Sequence, residues 1–164
     1  MMRIIVLILI LLLPAWALAA SSDSDQTAYV VADNTTLNYK THTGIYRGHV
    51  KMTQGTTTIL ADRVVTYANK HNKLIKAIAT GNLASYSTLP DNSQLLFTAA
   101  GQTINYYPIK GTVELIGQAK ATQGNDSLAG PHITYDIKKQ TVVSLLEKAG
   151  HTTIVIQPDQ KLTQ

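Results

Sequence analysis

The octapeptide Gly48-His49-Val50-Lys51-Met52-Thr53-Gln54-Gly55 returns as Gly117-Gln118-Ala119-Lys120-Ala121-Thr122-Gln123-Gly124, an offset of 69 residues. Each copy is followed by a second piece, Ala61-Asp62-Arg63-Val64-Val65-Thr66-Tyr67 in one case and Ala129-Gly130-Pro131-His132-Ile133-Thr134-Tyr135 in the other. Looser versions of that piece run from Ala100 to Tyr106 and, with one extra residue, from Ala32 to Tyr39. The Gly-x-x start recurs at Gly81-Asn82-Leu83 and Gly150-His151-Thr152. A recurring supersecondary unit has only one way to bury its apolar face, which is to stack on its neighbours around a shared core.

The unit has the period of a strand. Tyr46, Val50 and Met52 fall on one face around Gly48, and Arg47, His49 and Lys51 on the other. In the second piece Ile104 and Tyr106 oppose Thr103, Asn105 and Tyr107, and Ile133 and Tyr135 oppose His132 and Thr134. Gln54-Gly55 and Gln123-Gly124-Asn125-Asp126 supply turn residues that tolerate positive φ, so each copy reads as a hairpin. Strands are expected at 28–32, 35–41, 43–53, 57–67, 73–79, 82–88, 94–100, 103–107, 112–116, 118–123, 127–129, 132–137, 141–146 and 151–156. No window carries an amphipathic helical pattern. Turn clusters at 69–73 and 89–93 punctuate the runs as in an all-β sandwich, barrel or jelly roll.

A basic start at Met1-Met2-Arg3, an apolar run from Ile4 to Leu13, Pro14 and then Ala17-Leu18-Ala19 describe a cleavable secretory leader over residues 1–20. The alternative, a retained single-span anchor, requires roughly 20 clean apolar residues, and Pro14 interrupts this run. Residues 21–164 then form one domain. Without Arg3 the chain carries 13 basic against 10 acidic residues, spread along its length, a balance that gives no footprint for nucleic acid. With no cysteine, an exported chain has only sheet pairing and burial to hold it together.

The sequence offers little reactive chemistry. The histidines at 42, 49, 71, 132 and 151 lie at no metal-ligand spacing, so no metal and no cofactor is expected. There is no nucleophile elbow and no phosphate-binding glycine loop. Asp33 and Asp62 hold matching places in two copies and could form an acid–base pair, but Gly101 and Gly130 stand at those places in the other two, as turn residues would. Lys70, His71, Lys73 and Lys76 form the one basic cluster, either a solvated hairpin tip or a contact for an anionic head group. The apolar face of the hairpins either closes as an ordinary core or leaves a cleft, and composition does not choose between the two.

At these residues the chain resembles the LptA family, the periplasmic bridge of lipopolysaccharide export. The similarity lies in Ala32-Asp33, Gly48-His49-Val50 with Thr53-Gln54-Gly55, Ala61-Asp62-Arg63-Val64, Gly81-Asn82, Gly117-Gln118-Ala119, and Gly130 with Ile133-Thr134-Tyr135, in the family's order over nearly the whole chain after the leader. Two departures are a short tail after Gln157 and Ser85 where relatives can carry a bulkier aromatic. The resemblance implies an elongated, twisted, open β-jelly roll of two antiparallel sheets meeting in a V, without enzymatic activity. Acyl chains of lipid A would lie between the sheets and sugars outside.

Combined with the alternation, the resemblance makes Ala28, Val30, Ala32, Tyr46, Val50, Met52, Ile59, Leu83, Phe97, Ile104, Tyr106, Val113 and Leu115 the candidate lining of the lipid groove. It also implies partners at the two sheet edges. Tyr29 and Val31 in the first strand would meet an LptC-like inner-membrane protein, and Ile154, Val155 and Ile156 in the last would meet an LptD-like outer-membrane protein or another copy in a head-to-tail homo-oligomer. The remaining alternatives are an LptC-like anchored partner of the same system, an exported structural or adhesive β-repeat with a closed core, and an envelope hydrolase using Asp33 and Asp62.

Overall fold

The computed structural model describes residues 22–145 and 151–157. The expected leader at 1–20 lies outside these residues, as do residues 21, 146–150 and 158–164, which include the end of the expected strand 141–146 and Gly150 of the repeat. After a single 3-10 turn at Asp23–Asp25 come ten strands: β1 (Ala28–Val31), β2 (Asn34–Asn38), β3 (Thr43–Gln54), β4 (Thr57–Ala68), β5 (Leu74–Thr88), β6 (Phe97–Tyr107), β7 (Thr112–Gln123), β8 (Asp126–Asp136), β9 (Thr141–Ser144) and β10 (Thr153–Val155). They form one antiparallel sheet in the order β1-β3-β4-β5-β6-β7-β8-β10, with β2 on β3 and β9 on β8. Among the described residues no helix is long and apolar enough to cross a membrane.

The long strands do not run straight. The register slips at Arg47/Val50 between β3 and β4, Leu60/Arg63 between β4 and β5, and Thr80/Ala84 between β5 and β6. It slips again at Ala100/Thr103 between β6 and β7 and at Ile116/Ala119 between β7 and β8. The extra residues sit on β3, β5 and β7, and each bulge bends its strand. The bulges line up and fold the sheet into two facing leaves. Leaf one holds β1, β10 and the strand segments from 50–54 to 126–130; leaf two holds β2, β9 and the segments from 43–47 to 132–136. This is the V of two antiparallel sheets expected of an open β-jelly roll, built from strands shared between the leaves.

The repeated motif is the bend itself. Gly48 and His49 both have positive φ (77° and 46°), as do Gly117 and Gln118 (74° and 51°), and the turn residues Gly55 and Gly124 each take 58°. A short residue then a cap faces each bend from a segment earlier in the chain: Ala32-Asp33 for the bend on β3, Ala61-Asp62 for that on β5 and Gly101-Gln102 for that on β7. The Asp33 amide donates to Gly48 O at 3.0 Å and its carboxylate meets His49 Nδ1 at 2.8 Å. The Asp62 carboxylate accepts the Asn82 amide at 3.1 Å, and the Gln102 side-chain oxygen packs against Gly117 where a Cβ would have to go. The partner of Asp62 in the third copy is therefore Gln102, one residue beyond the Gly101 that sequence matching selects. Asp33 and Asp62 cap separate bulges.

Candidate functional site

Pairing across the sheet places one inward side chain per strand in continuous rows. In leaf one Val30, Met52, Ile59, Tyr86, Ala99, Ala121, Leu128 and Ile154 follow one another from edge to edge. In leaf two Tyr46, Val64, Ala79, Ile104, Leu115 and Ile133 follow one another from β3 to β8. The two rows face each other across a continuous cluster of apolar side chains.

Of the residues the alternation selects, Val50, Met52, Ile59, Phe97, Ile104, Tyr106, Val113 and Leu115 are all at most 1% exposed. Val30, Ala32 and Tyr46 are half-buried against the same cluster, and Ala28, opposite Gln54, lies exposed at the rim. The middle of the space is thus filled by the protein's own side chains, where a trough open along its length was expected. Leu83 does not belong there. It points away, 47% exposed, because the bulge of this copy is shifted by one residue: Leu83 (φ 70°) takes the place of His49 and Gln118, and Ala84 takes the inward place of Val50 and Ala119. Ser85 also faces outward, opposite Leu60, so its departure from the family leaves the interior untouched.

The interior closes on four aromatic rings. Tyr86 and Phe97 come from leaf one and Tyr106 and Tyr135 from leaf two, with Phe97 and Tyr135 stacked at 3.8 Å and Tyr86 at 6.0 Å from Tyr106. Burial pushes the Tyr106 phenol up to about 12 and raises Tyr86 further. Their hydroxyls enter a polar layer at the rim, where Tyr106 Oη donates to Gln54 Oε1 at 3.2 Å and Thr57 meets Thr88 at 3.2 Å. Tyr135 Oη is buried without a hydrogen-bond partner among the described residues.

Beyond Phe97, toward the last strand, the leaves diverge into a cleft of about 370 Å³. Leu95, Phe97, Ala121, Leu128, Val142, Ile154, Val155 and Ile156 give it apolar walls, with Thr122, Gln123, Asp126 and Ser127 at its margin. Leu95 and Val142 had no signal in the repeat, since one comes from an irregular loop and the other from a short strand, whereas Leu128 on β8 holds the place of Ile59 at the 69-residue offset. Both terminal strands are open: β1 pairs only with β3 and β10 only with β8 among the described residues, and Tyr29, Val31, Ile154 and Ile156 are each more than 60% exposed. Such edges accept further strands.

The basic cluster is not one site. Lys73 pairs with Asp25 at 2.7 Å, while Lys76 sits 5.1 Å above the Tyr107 ring on the outer face of leaf two. Among the described residues no group of His, Cys, Asp or Glu is arranged to hold a metal ion. An apolar space between hinged leaves, beside a greasy cleft and ending in free sheet edges, is suited to receiving apolar chains.

The sequence profile described as LptA/(LptD N-terminal domain) LPS transport protein matches residues 29–141. The lipopolysaccharide export system protein LptH of Pseudomonas aeruginosa is 32% identical over 152 residues, covering 88% of this chain and 87% of that protein. The lipopolysaccharide export system protein LptA of Escherichia coli K12 is 30% identical over 145 residues, covering 88% and 78%. The crystal structure of LptH, described as the LptA-homologous periplasmic component of the lipopolysaccharide transport device, superposes with a TM-score of 0.77 over 84% of this chain and 100% of that one, at 30% identity.

Proposed function

Because this chain belongs to the LptA/LptD N-terminal domain family of lipopolysaccharide transport proteins, we propose that it carries lipopolysaccharide across the periplasm with the acyl chains of lipid A held between its two leaves. The observation that supports this most is the unbroken apolar row from Val30 to Ile154, which reaches both free edges and opens into the cleft beside Phe97. Each methylene kept from water is worth about 0.8 kcal/mol, so a chain of roughly twelve carbons is sheltered by on the order of 10 kcal/mol.

A filled interior is compatible with this role because of how the leaves are joined. The hydrogen-bond ladder runs round the fold line, and the opposite mouth is crossed by side-chain contacts such as Tyr106 to Gln54. Widening the V therefore separates packed side chains and leaves every ladder intact. Residues 1–20 would direct export and be removed. The β1 edge, with Tyr29 and Val31, would receive an LptC-like inner-membrane partner. The β10 edge, with Ile154, Val155 and Ile156, would meet an LptD-like outer-membrane protein or a second copy, so that lipid passes from inner to outer membrane.

Mass spectrometry of lipid retained by the protein purified from its native envelope tests this reading. Co-purifying lipid A species, lost when Ala121 and Leu128 are both replaced by Arg, are expected. A preparation free of lipopolysaccharide at every stage would overturn it.

A further inference from the structure

The mouth of the V is fastened by a strap. Residues 22–26 are held to the leaf-one rim on both sides of Asp25: the Asp23 carboxylate accepts the Thr56 amide at 2.9 Å and the Thr56 and Thr57 hydroxyls at 2.8 and 2.9 Å, and Gln54 Nε2 donates to Gln26 O at 3.1 Å. Asp25 then reaches the other rim, where it accepts from Lys73 Nζ at 2.7 Å. The fit at the first rim is close, since any Cβ on Gly55 would collide with the Asp23 carboxylate. Clefts of about 230 and 360 Å³ lie on either side of the strap along the mouth. A second bridge lies further along, where Gln140 Nε2, beyond β8, donates to Asp91 O in the β5–β6 loop at 2.7 Å.

This arrangement has a topological consequence, given the acyl-chains-inside reading above on which the inference rests. An amphiphile whose chains lie between the leaves and whose sugars lie outside is threaded through the mouth at every position along its path. A head group cannot slide past a segment that joins both rims. We propose that the segment 22–26 is a clasp that must detach from Lys73 for each molecule to pass, making Asp25 and Lys73 passage-controlling residues that are not themselves part of the apolar lining. The fastening suits repeated opening, because an exposed ion pair and hydroxyl hydrogen bonds are individually weak and no ladder bond is lost when they break.

The chain has no cysteine, so Asp25→Cys with Lys73→Cys can be joined by a short bis-maleimide with a cleavable spacer, in cells where the full-length variant is the sole copy. Photoreactive residues at Val30 and Leu115, on β1 and β7 at opposite sides of the strap, report bound lipopolysaccharide. With the linker in place, capture should persist at one position and fall at least tenfold at the other, and cleaving the linker should restore it. Undiminished capture at both positions would overturn the clasp while leaving the conduit standing. So would loss at both positions after a monofunctional maleimide, since the strap would then be needed for something other than passage. Absence of capture at either position in the unmodified protein would instead overturn the transport reading.

Discussion

Phe97 and Tyr135 stack face to face across the interior, with centroids 3.8 Å apart and planes 12° from parallel, one ring from each leaf. Phe97 is also the innermost wall of the open cleft, so this pair marks where the packed core ends and the enterable space begins. Phe97→Ala should cost about 3–5 kcal/mol, read as a lower denaturant midpoint. It should also extend the cleft inward, raising capture of lipopolysaccharide by a photoreactive residue at Ile104 relative to the parent chain. A variant that loses stability without gaining inner capture would place the barrier elsewhere.

The fold line depends on backbone conformations that side chains resist. At Gly48 a φ of 77° and the Asp33 carboxylate both exclude a Cβ, so Gly48→Ala should lose at least about 2 kcal/mol, the left-handed penalty alone being about 1–2. Gly111, at φ 69° but with only the aliphatic part of Lys138 nearby at 3.4 Å, supplies the comparison: Gly111→Ala should lose that left-handed penalty alone, about 1–2 kcal/mol. Equal losses in urea unfolding would argue against the close packing of Asp33 on the bend.

The same corner is sensitive to pH. The His49 imidazole is held above its ordinary 6.5, first by its hydrogen bond to Asp33 and then by that carboxylate's charge. A raised histidine contributes stability that is fully present below pH 6.5 and is lost as pH rises through the raised value. NMR titration should find His49 titrating above 6.5 in the parent and near it in Asp33→Asn. The parent should also lose part of its advantage over Asp33→Asn in mild alkali. A His49 titration unchanged by Asp33→Asn would contradict the pairing.

Alternation and turn chemistry made most of the architecture legible. The inward places of Val50, Met52, Ile59, Phe97, Ile104, Tyr106, Val113 and Leu115 follow from period 2 and the hairpin ends at Gly55 and Gly124 from turn chemistry, while the edges at β1 and β10 follow from the family resemblance. What the sequence hid was the bend. The expected strands 73–79 and 82–88 are the two halves of β5, and 94–100 with 103–107 overlap the two halves of β6, because a bulge interrupts the pattern without ending the strand. Only in β5 does the bulge displace the motif, from Gly81-Asn82 to Asn82-Leu83, and a large apolar residue in a left-handed conformation is a poor signal for an outward position. The stacking of Tyr135 on Phe97 had no local signal, since the two residues meet only when the leaves close.

That displacement predicts opposite outcomes at adjacent positions. Leu83→Asn should change stability by no more than about 0.5 kcal/mol, because the side chain is exposed and asparagine accepts positive φ. Ala84→Leu should cost about 1–3 kcal/mol by overfilling the interior. Thermal or urea unfolding of the two variants checks this, and a costly Leu83→Asn beside a neutral Ala84→Leu would reverse the assignment.

The claim on which the rest stands is that the inward rows are the lipid path. Photoreactive residues placed one at a time at Val30 and Tyr106, which face inward, and at Lys51 and Lys120, which face outward, measure it directly in the presence of lipopolysaccharide. Capture at Val30 and Tyr106 with none above background at Lys51 and Lys120 is the predicted result. Equal capture at all four, or capture confined to the two lysine positions, would contradict it.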